Sequence, residues 1–214
     1  MNPYNVRLAR LDLASDNQAI PRTLGHLGSA VTGSRGFLDE LVDAQLPDEA
    51  IEVFADDEGA LVEALAGCAF AVAQTHITAV VTFSASLLQY VQDETGTPLL
   101  PVDATRPALT AFESVSVAAT VTRIQAIDAC ANYFKHADQW NADWARADKR
   151  AQRTIQTMLA IGCGPGKGDN LRHGLDVLGI SDHAQMQHLW YEVRDWARAL
   201  RTRFAEACAC KGLA

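Results

Sequence analysis

At 214 residues, 49% hydrophobic and 21% charged, the chain has the composition of an ordinary globular protein. Gly and Pro account for 21 positions, too few for a disordered or collagen-like chain. Its formal charge of −8 is uneven: residues 1–142 carry seven Lys/Arg against eighteen Asp/Glu, and residues 143–214 carry eleven against eight. A nucleic acid is therefore repelled by the first two-thirds and can approach only the last third.

Few aromatics and helical periodicity in every long segment predict an all-α fold, a helical bundle built on two long antiparallel central helices. Residues 1–46 read as a peripheral segment. Val6, Leu8, Leu11 and Leu13 suggest a short amphipathic piece, and Gly25, Gly28, Gly33 and Gly36 should break any long element. A short helix is expected over 37–46, stopped by Pro47. The bundle core should span 57–208 within a single domain of 1–214. Pro47-Asp48-Glu49 is a helix start, and from Asp57 a long pattern runs to about Glu94, where Gly96-Thr97-Pro98 ends it. Residues 64–92 contain no Asp, Glu, Lys or Arg, long enough to raise the question of a membrane span. Gln74, His76, Ser84 and several threonines make it too polar for lipid, so it reads as a central helix enclosed by neighbours, with no membrane partner.

A second helix is predicted over roughly 109–137, with Val117, Val121, Ile124, Ile127, Ala131 and Phe134 as its apolar stripe. Residues 140–143 break the pattern, and a basic helix follows over about 144–161. The glycine-rich run 162–168 separates it from a short helix through Leu178, closed by Gly179. The last helix, to about Cys208, carries a ridge of Met186, Leu189, Trp190, Val193, Ala197, Leu200 and Phe204.

Five cysteines, an odd number without a signal-like leader, point to a reducing cytoplasm. Cys208-Ala-Cys210 lacks the further ligands that zinc requires, so no metal and no cofactor are expected. The 162–168 loop has Lys167 but not the Walker A spacing, and a helix–helix connector is the simpler reading.

The stretch 131–144, ANYFKHADQWNADW, concentrates an amide, an amine, an imidazole, carboxylates and three large aromatics at a helix end. At 3.6 residues per turn, Asp128, Asn132 and His136 stand one above another at the edge of the apolar stripe. An imidazole near a carboxylate is suited to proton transfer, whereas the structural alternative makes Asn132 and His136 a helix terminus bonded to the next loop. Arg146, Lys149, Arg150 and Arg153 share one broad helical face, and Trp140 and Trp144 precede it as possible stacking platforms for bases. Equally, those tryptophans can plug the bundle end.

Asn132-Tyr-Phe-Lys-His136, closing a long helix in an all-helical chain, resembles the motif of the HEPN superfamily (higher eukaryotes and prokaryotes nucleotide-binding). The resemblance implies a helical bundle, often dimeric, and a metal-independent endoribonuclease of a toxin or antiviral defence system. Carried over, His136 matches the catalytic histidine and Asn132 the polar position, with Lys135 beside them. The motif's Arg, which binds the scissile phosphate, has no counterpart: positions 129–131 are Ala, Cys and Ala. The expected partners are RNA and a second copy or another protein. The alternative expectation is a non-catalytic helical interaction module or regulatory subunit of such a system.

Overall fold

The computed structural model describes residues 2–140 and 144–213, without the side chains of Arg146 and Arg150. It is an all-α bundle. In chain order the helices are α1 (Pro3–Ser15), α2 (Ala19–Asp43), α3 (Asp48–Thr95), α4 (Arg106–Ala111), α5 (Arg123–His136), α6 (Lys149–Ala160), α7 (Asn170–Val177) and α8 (His188–Cys210). A minimal antiparallel hairpin, β1 (Ser116–Ala118) with β2 (Val121–Thr122), lies between α4 and α5.

The 48-residue α3 is the axis. Pro47 sets its start, Asp48 and Glu49 complement the amide end of its dipole, and Gly96 caps it at φ 68°. Along its uncharged stretch Ala66, Phe70, Ala73, Ile77, Val80, Leu87 and Val91 are buried. Helices α1, α2, α5, α7 and α8 pack around it. Although α3 is long and apolar enough to cross a membrane, 56% of its most apolar stretch is buried inside the fold. Helix α5 runs antiparallel to it, since Gly67 faces Phe134 while Gln74 faces Asp128 and Asn132.

The N-terminal segment departs from expectation. Residues 1–46 supply Leu8, Leu11, Leu24 and Val31 to the core, and α2 runs unbroken through all four glycines. Each glycine costs roughly 0.5–1 kcal/mol relative to alanine in a helix. Burying Ile20, Leu24 and Val31 returns about 1.5–3 kcal/mol apiece, which outweighs that cost. Gly28 is required sterically, because a Cβ there would overlap the backbone carbonyl of Ala184. Gly33 and Gly36 face open space.

The predicted helix over 109–137 is in fact two helices parted by the hairpin. Val115, Val117, Val121 and Thr122 are β-branched residues that favour extended backbone, so the apolar stripe of α5 begins at Ile124. Thr122 then opens α5 with a capping box: its hydroxyl accepts from the Gln125 amide (3.3 Å), and the Gln125 side chain accepts from the Thr122 amide (3.0 Å). Helix α6 starts at Lys149 rather than Trp144, and α8 starts at His188 after a series of turns.

His76, 3% exposed on α3, has no hydrogen bond of ordinary geometry at either ring nitrogen among the described residues. Burial lowers its pKa, and the Ala14 carbonyl and Asp16 at the end of α1 offset this only in part.

Two predictions follow from this packing. Gly28→Ala should lower stability by about 1–3 kcal/mol, the usual scale of overpacking, whereas Gly33→Ala should raise it by about 0.4–1 kcal/mol. Denaturant midpoints measure both. The second concerns pH. Because burial disfavours the charged form of His76 in the fold, the unfolded chain takes up more protons below about pH 6.5, the ordinary histidine value. The stability it contributes is present above that pH and is lost on acidification toward the depressed folded value. In His76→Leu the fall between about pH 7 and pH 5 should be shallower.

Candidate functional site

A polar cluster forms where α3, α4 and α5 meet. Gln74 is buried at 7% exposure in the uncharged part of α3. Its amide nitrogen donates to the Asp128 carboxylate (2.7 Å), to the Asn132 side-chain oxygen (3.0 Å) and to the Asp128 carbonyl (3.2 Å). Its oxygen accepts from Lys135. A buried amide left without partners would cost roughly 1–3 kcal/mol, so these contacts fix the rotation of α5 against α3.

Asp128 is held from the other side by Arg106. The guanidinium binds it in fork geometry, Nη2 to Oδ1 at 2.6 Å and Nε to Oδ2 at 3.0 Å, and Nη1 reaches the Thr78 hydroxyl at 3.2 Å. The arginine is placed by the start of α4, where Pro107 occupies the first turn. The Thr122 hydroxyl donates to the Thr110 carbonyl at 2.9 Å, tying α4 to the start of α5. Side-chain exposures of 33% and 17% make the Arg106–Asp128 pair a partly buried one.

Beside this cluster lies a cavity of about 380 Å³ between α5 and α6. Arg106, Gln125, Asp128 and Asn132 form one wall, and Arg153, Gln156 and Thr157 of α6 form the other. Pockets for small ligands begin at about 300 Å³, so one nucleotide-sized group fits. Arg153 makes no ion pair among the described residues, and its charge faces the cavity uncompensated.

The residues singled out from sequence are distributed as follows. Asn132 lines the cavity. Lys135 is spent on Gln74. His136 is exposed at the last position of α5, one turn beyond Asn132, and its ring bonds to none of the described residues. Lys149 is exposed at the start of α6; the side chains of Arg146 and Arg150 lie outside the described residues. Trp140 and Trp144 form a triangle with Tyr133, ring centroids 5.6–5.8 Å apart. Trp144 is 7% exposed, leaving Trp140 the more open of the two.

Other sequence features prove architectural. The Asn170 amide clasps both backbone groups of Gly164 (2.9 Å each) and donates to the Tyr133 hydroxyl (3.1 Å). Lys167 donates to the Gly162 carbonyl at 2.8 Å, so the 162–168 loop is a pinned connector. Glu63 accepts from the Leu171 and Arg172 amides and caps α7 across the chain; burial raises its pKa against those bonds. Burial also pushes the Cys163 thiol up to about 12, which leaves it unreactive. Cys208 faces the core and Cys210 the solvent, so the two thiols do not converge.

Sequence reasoning missed Arg106, Gln74 and Thr78. One signal was present: Arg106 is the first basic residue after Arg35 and stands directly before a proline.

Comparison with family models, curated proteins and solved structures finds no match to this chain. The HEPN resemblance therefore rests on the Asn132–His136 motif and the helical layout.

Removing the Asp128 carboxylate leaves the Arg106 guanidinium with only the Thr78 hydroxyl and takes the shortest of three acceptors from the Gln74 amide. Asp128→Ala should cost about 2–3 kcal/mol, reduced from the fully buried range by partial exposure. A double-mutant cycle with Arg106→Ala, read by chemical denaturation, should give a coupling of about 1–2 kcal/mol.

Proposed function

We propose that this protein is a HEPN-like helical RNA-binding module, whose cleft between α5 and α6 holds a backbone phosphate. One observation carries the reading. Arg106 of α4 and Arg153 of α6 flank a single cavity against α5, where Asn132 also stands. Arg106 brings a guanidinium to the cavity wall, its charge already met by Asp128, and Arg153 supplies a cation with no ion-pair partner among the described residues. The side-chain amides of Asn132 and Gln125 add donors suited to phosphate or ribose. All five cysteines are free thiols, which fits a reducing cytoplasm.

The second reading is metal-independent RNA cleavage of toxin or defence type, with His136 as general acid or base. Its support is the open position of His136, one helical turn past Asn132. Binding is the better supported of the two. Arg106 is engaged at Asp128, two turns or about 12 Å along α5 from His136, which is far for one phosphate to span.

Anisotropy with a fluorescent single-stranded RNA tests the first reading. Arg153→Ala should weaken binding about 5–10-fold and reduce the salt slope by about one, the mark of one lost phosphate contact. Incubation of RNA with wild type in chelator tests the second: His136→Ala should slow cleavage at least ~10²-fold. Binding without cleavage selects the first reading. Absence of both overturns both.

A further inference from the structure

The second half of α2 and the first half of α3 leave the bundle together as a helical arm. Its anchors are Gly28 against Ala184 and the Arg35–Asp182 ion pair on α2, and Glu63 with Arg172 on α3. Beyond them the two helices pack on each other, with the Phe37 and Phe54 rings edge to face at 6.0 Å. No residue from 32 to 61 is buried. Large apolar side chains are left in water: Phe37 at 52%, Val42 at 53% and Val53 at 60%. An arm of this kind gains little from its own fold and presents an apolar face that other surfaces can cover.

Its charge says what kind of surface. Residues 36–58 carry nine Asp/Glu and no Lys or Arg, and none of those nine is ion-paired among the described residues. The opposite composition occurs at residues 146–153 and 194–203, but in the second stretch Arg194, Arg198, Arg201 and Arg203 are all ion-paired, which leaves the first as the complement. Residues 146–153 carry four Lys/Arg against the single acid Asp148. Lys149 and Arg153 are exposed there, and Leu159 of the same helix is 50% exposed. Because α5 runs antiparallel to α3, its last turn lies toward the end from which the arm departs. The Tyr133–Trp140–Trp144 cluster holds the chain at that end just before α6 begins. The arm and the basic start of α6 thus belong to one end of the bundle.

We propose that the acidic arm of one copy docks on the basic face of α6 in a second copy, and that the exchange is reciprocal. Size argues for reciprocity. Two adjacent helices about 10 Å across and about 15 Å long present a face of roughly 300 Å². Stable interfaces bury about 800 Å² per partner, so a single arm falls short. Giving one arm and receiving another brings each copy to roughly 600 Å² before flanking contacts, and the arrangement closes on a two-fold axis. Since RNA would use the same cations, each arm occupies the position of a polyanion. The docking itself does not require that RNA binds.

Sedimentation at about 50 µM protein and about 50 mM salt should show a dimer that dissociates as salt approaches about 1 M, where charges are screened beyond 3 Å. The triple variant Glu40→Lys, Glu52→Lys, Asp56→Lys and the double variant Lys149→Glu, Arg153→Glu should each raise the dissociation constant at least tenfold. Mixing the two variants should restore association, because the reversed charges are complementary again. All five positions are exposed, and circular dichroism should show unchanged helicity. A wild-type monomer under these conditions overturns the proposal. So does a dimer indifferent to the arm variant, or variants that fail to associate when mixed.

Discussion

A helix whose central 29 residues carry no charge cannot rest with any broad face in water, and α3 is such a helix. Its sequence offers apolar or small residues nearly all the way round, so neighbours must approach from several directions at once. Small residues such as Ala66, Gly67, Ala69 and Ala73 let them come close, and Gly67 lies directly under the Phe134 ring. The order of packing follows from that demand. Helices α1 and α2 cover α3 from the N-terminal part of the chain, while α5, α7 and α8 cover it from the C-terminal part. The charge-rich first dozen residues of α3 are under no such demand and extend out of the bundle with α2.

The polar cleft is a consequence of the same enclosure. Gln74 sits in the buried stretch and cannot be hydrated, so its four hydrogen-bonding capacities must be met by protein. Asp128, Asn132 and Lys135 meet them from α5, and Arg106 neutralises the carboxylate thus drawn inward. Removing one charge from such a set is costlier than never having built it, so the network holds the register of two helices and the position of α4. It also consumes Lys135 and engages Arg106. Arg153 remains as the uncompensated cation in the cavity wall, and His136 as the imidazole open to solvent.

How much of this was legible depended on whether the cause was local. Pro47 and Gly96 announced both ends of α3, and the lack of charge between 64 and 92 announced its burial, because helix caps and desolvation act within a few residues. Asn132 and His136 were visible for the same reason, being one turn apart. The four glycines of α2 misled, since what overrides their local cost is burial against α3 and α8, which the local pattern does not encode. The hairpin within 112–122 was hidden because Val117, Val121 and Ile124, four and three apart, satisfy a helical stripe. Arg106 and Gln74 lie 22 and 54 residues from Asp128, and nothing in their own neighbourhoods names that partner.

The charge asymmetry of the chain acquires a structural meaning only when mapped onto these elements. Half of the acids in the first two-thirds lie on the arm, where they have no ion-pair partners among the described residues. In the last third the arginines divide into two groups. Arg194, Arg198 and Arg201 on α8 are paired, with Asp195, Asp16 and Asp12 respectively, and the latter two pairs fasten α1 to α8. Arg153 on α6 has no such partner among the described residues and lines the cavity. Exposed pairs are worth little singly, about 0–1 kcal/mol, so the α8 group is a matter of docking one helix against another. Surface charges without ion-pair partners act at longer range, over about a Debye length, on whatever approaches. In this molecule they are of opposite sign, one set on a protruding apolar-edged hairpin and the other beside a nucleotide-sized cleft. If both proposals hold, RNA and the acidic arm compete for the same small group of α6 cations, and the arm and the cleft are then coupled through that shared requirement.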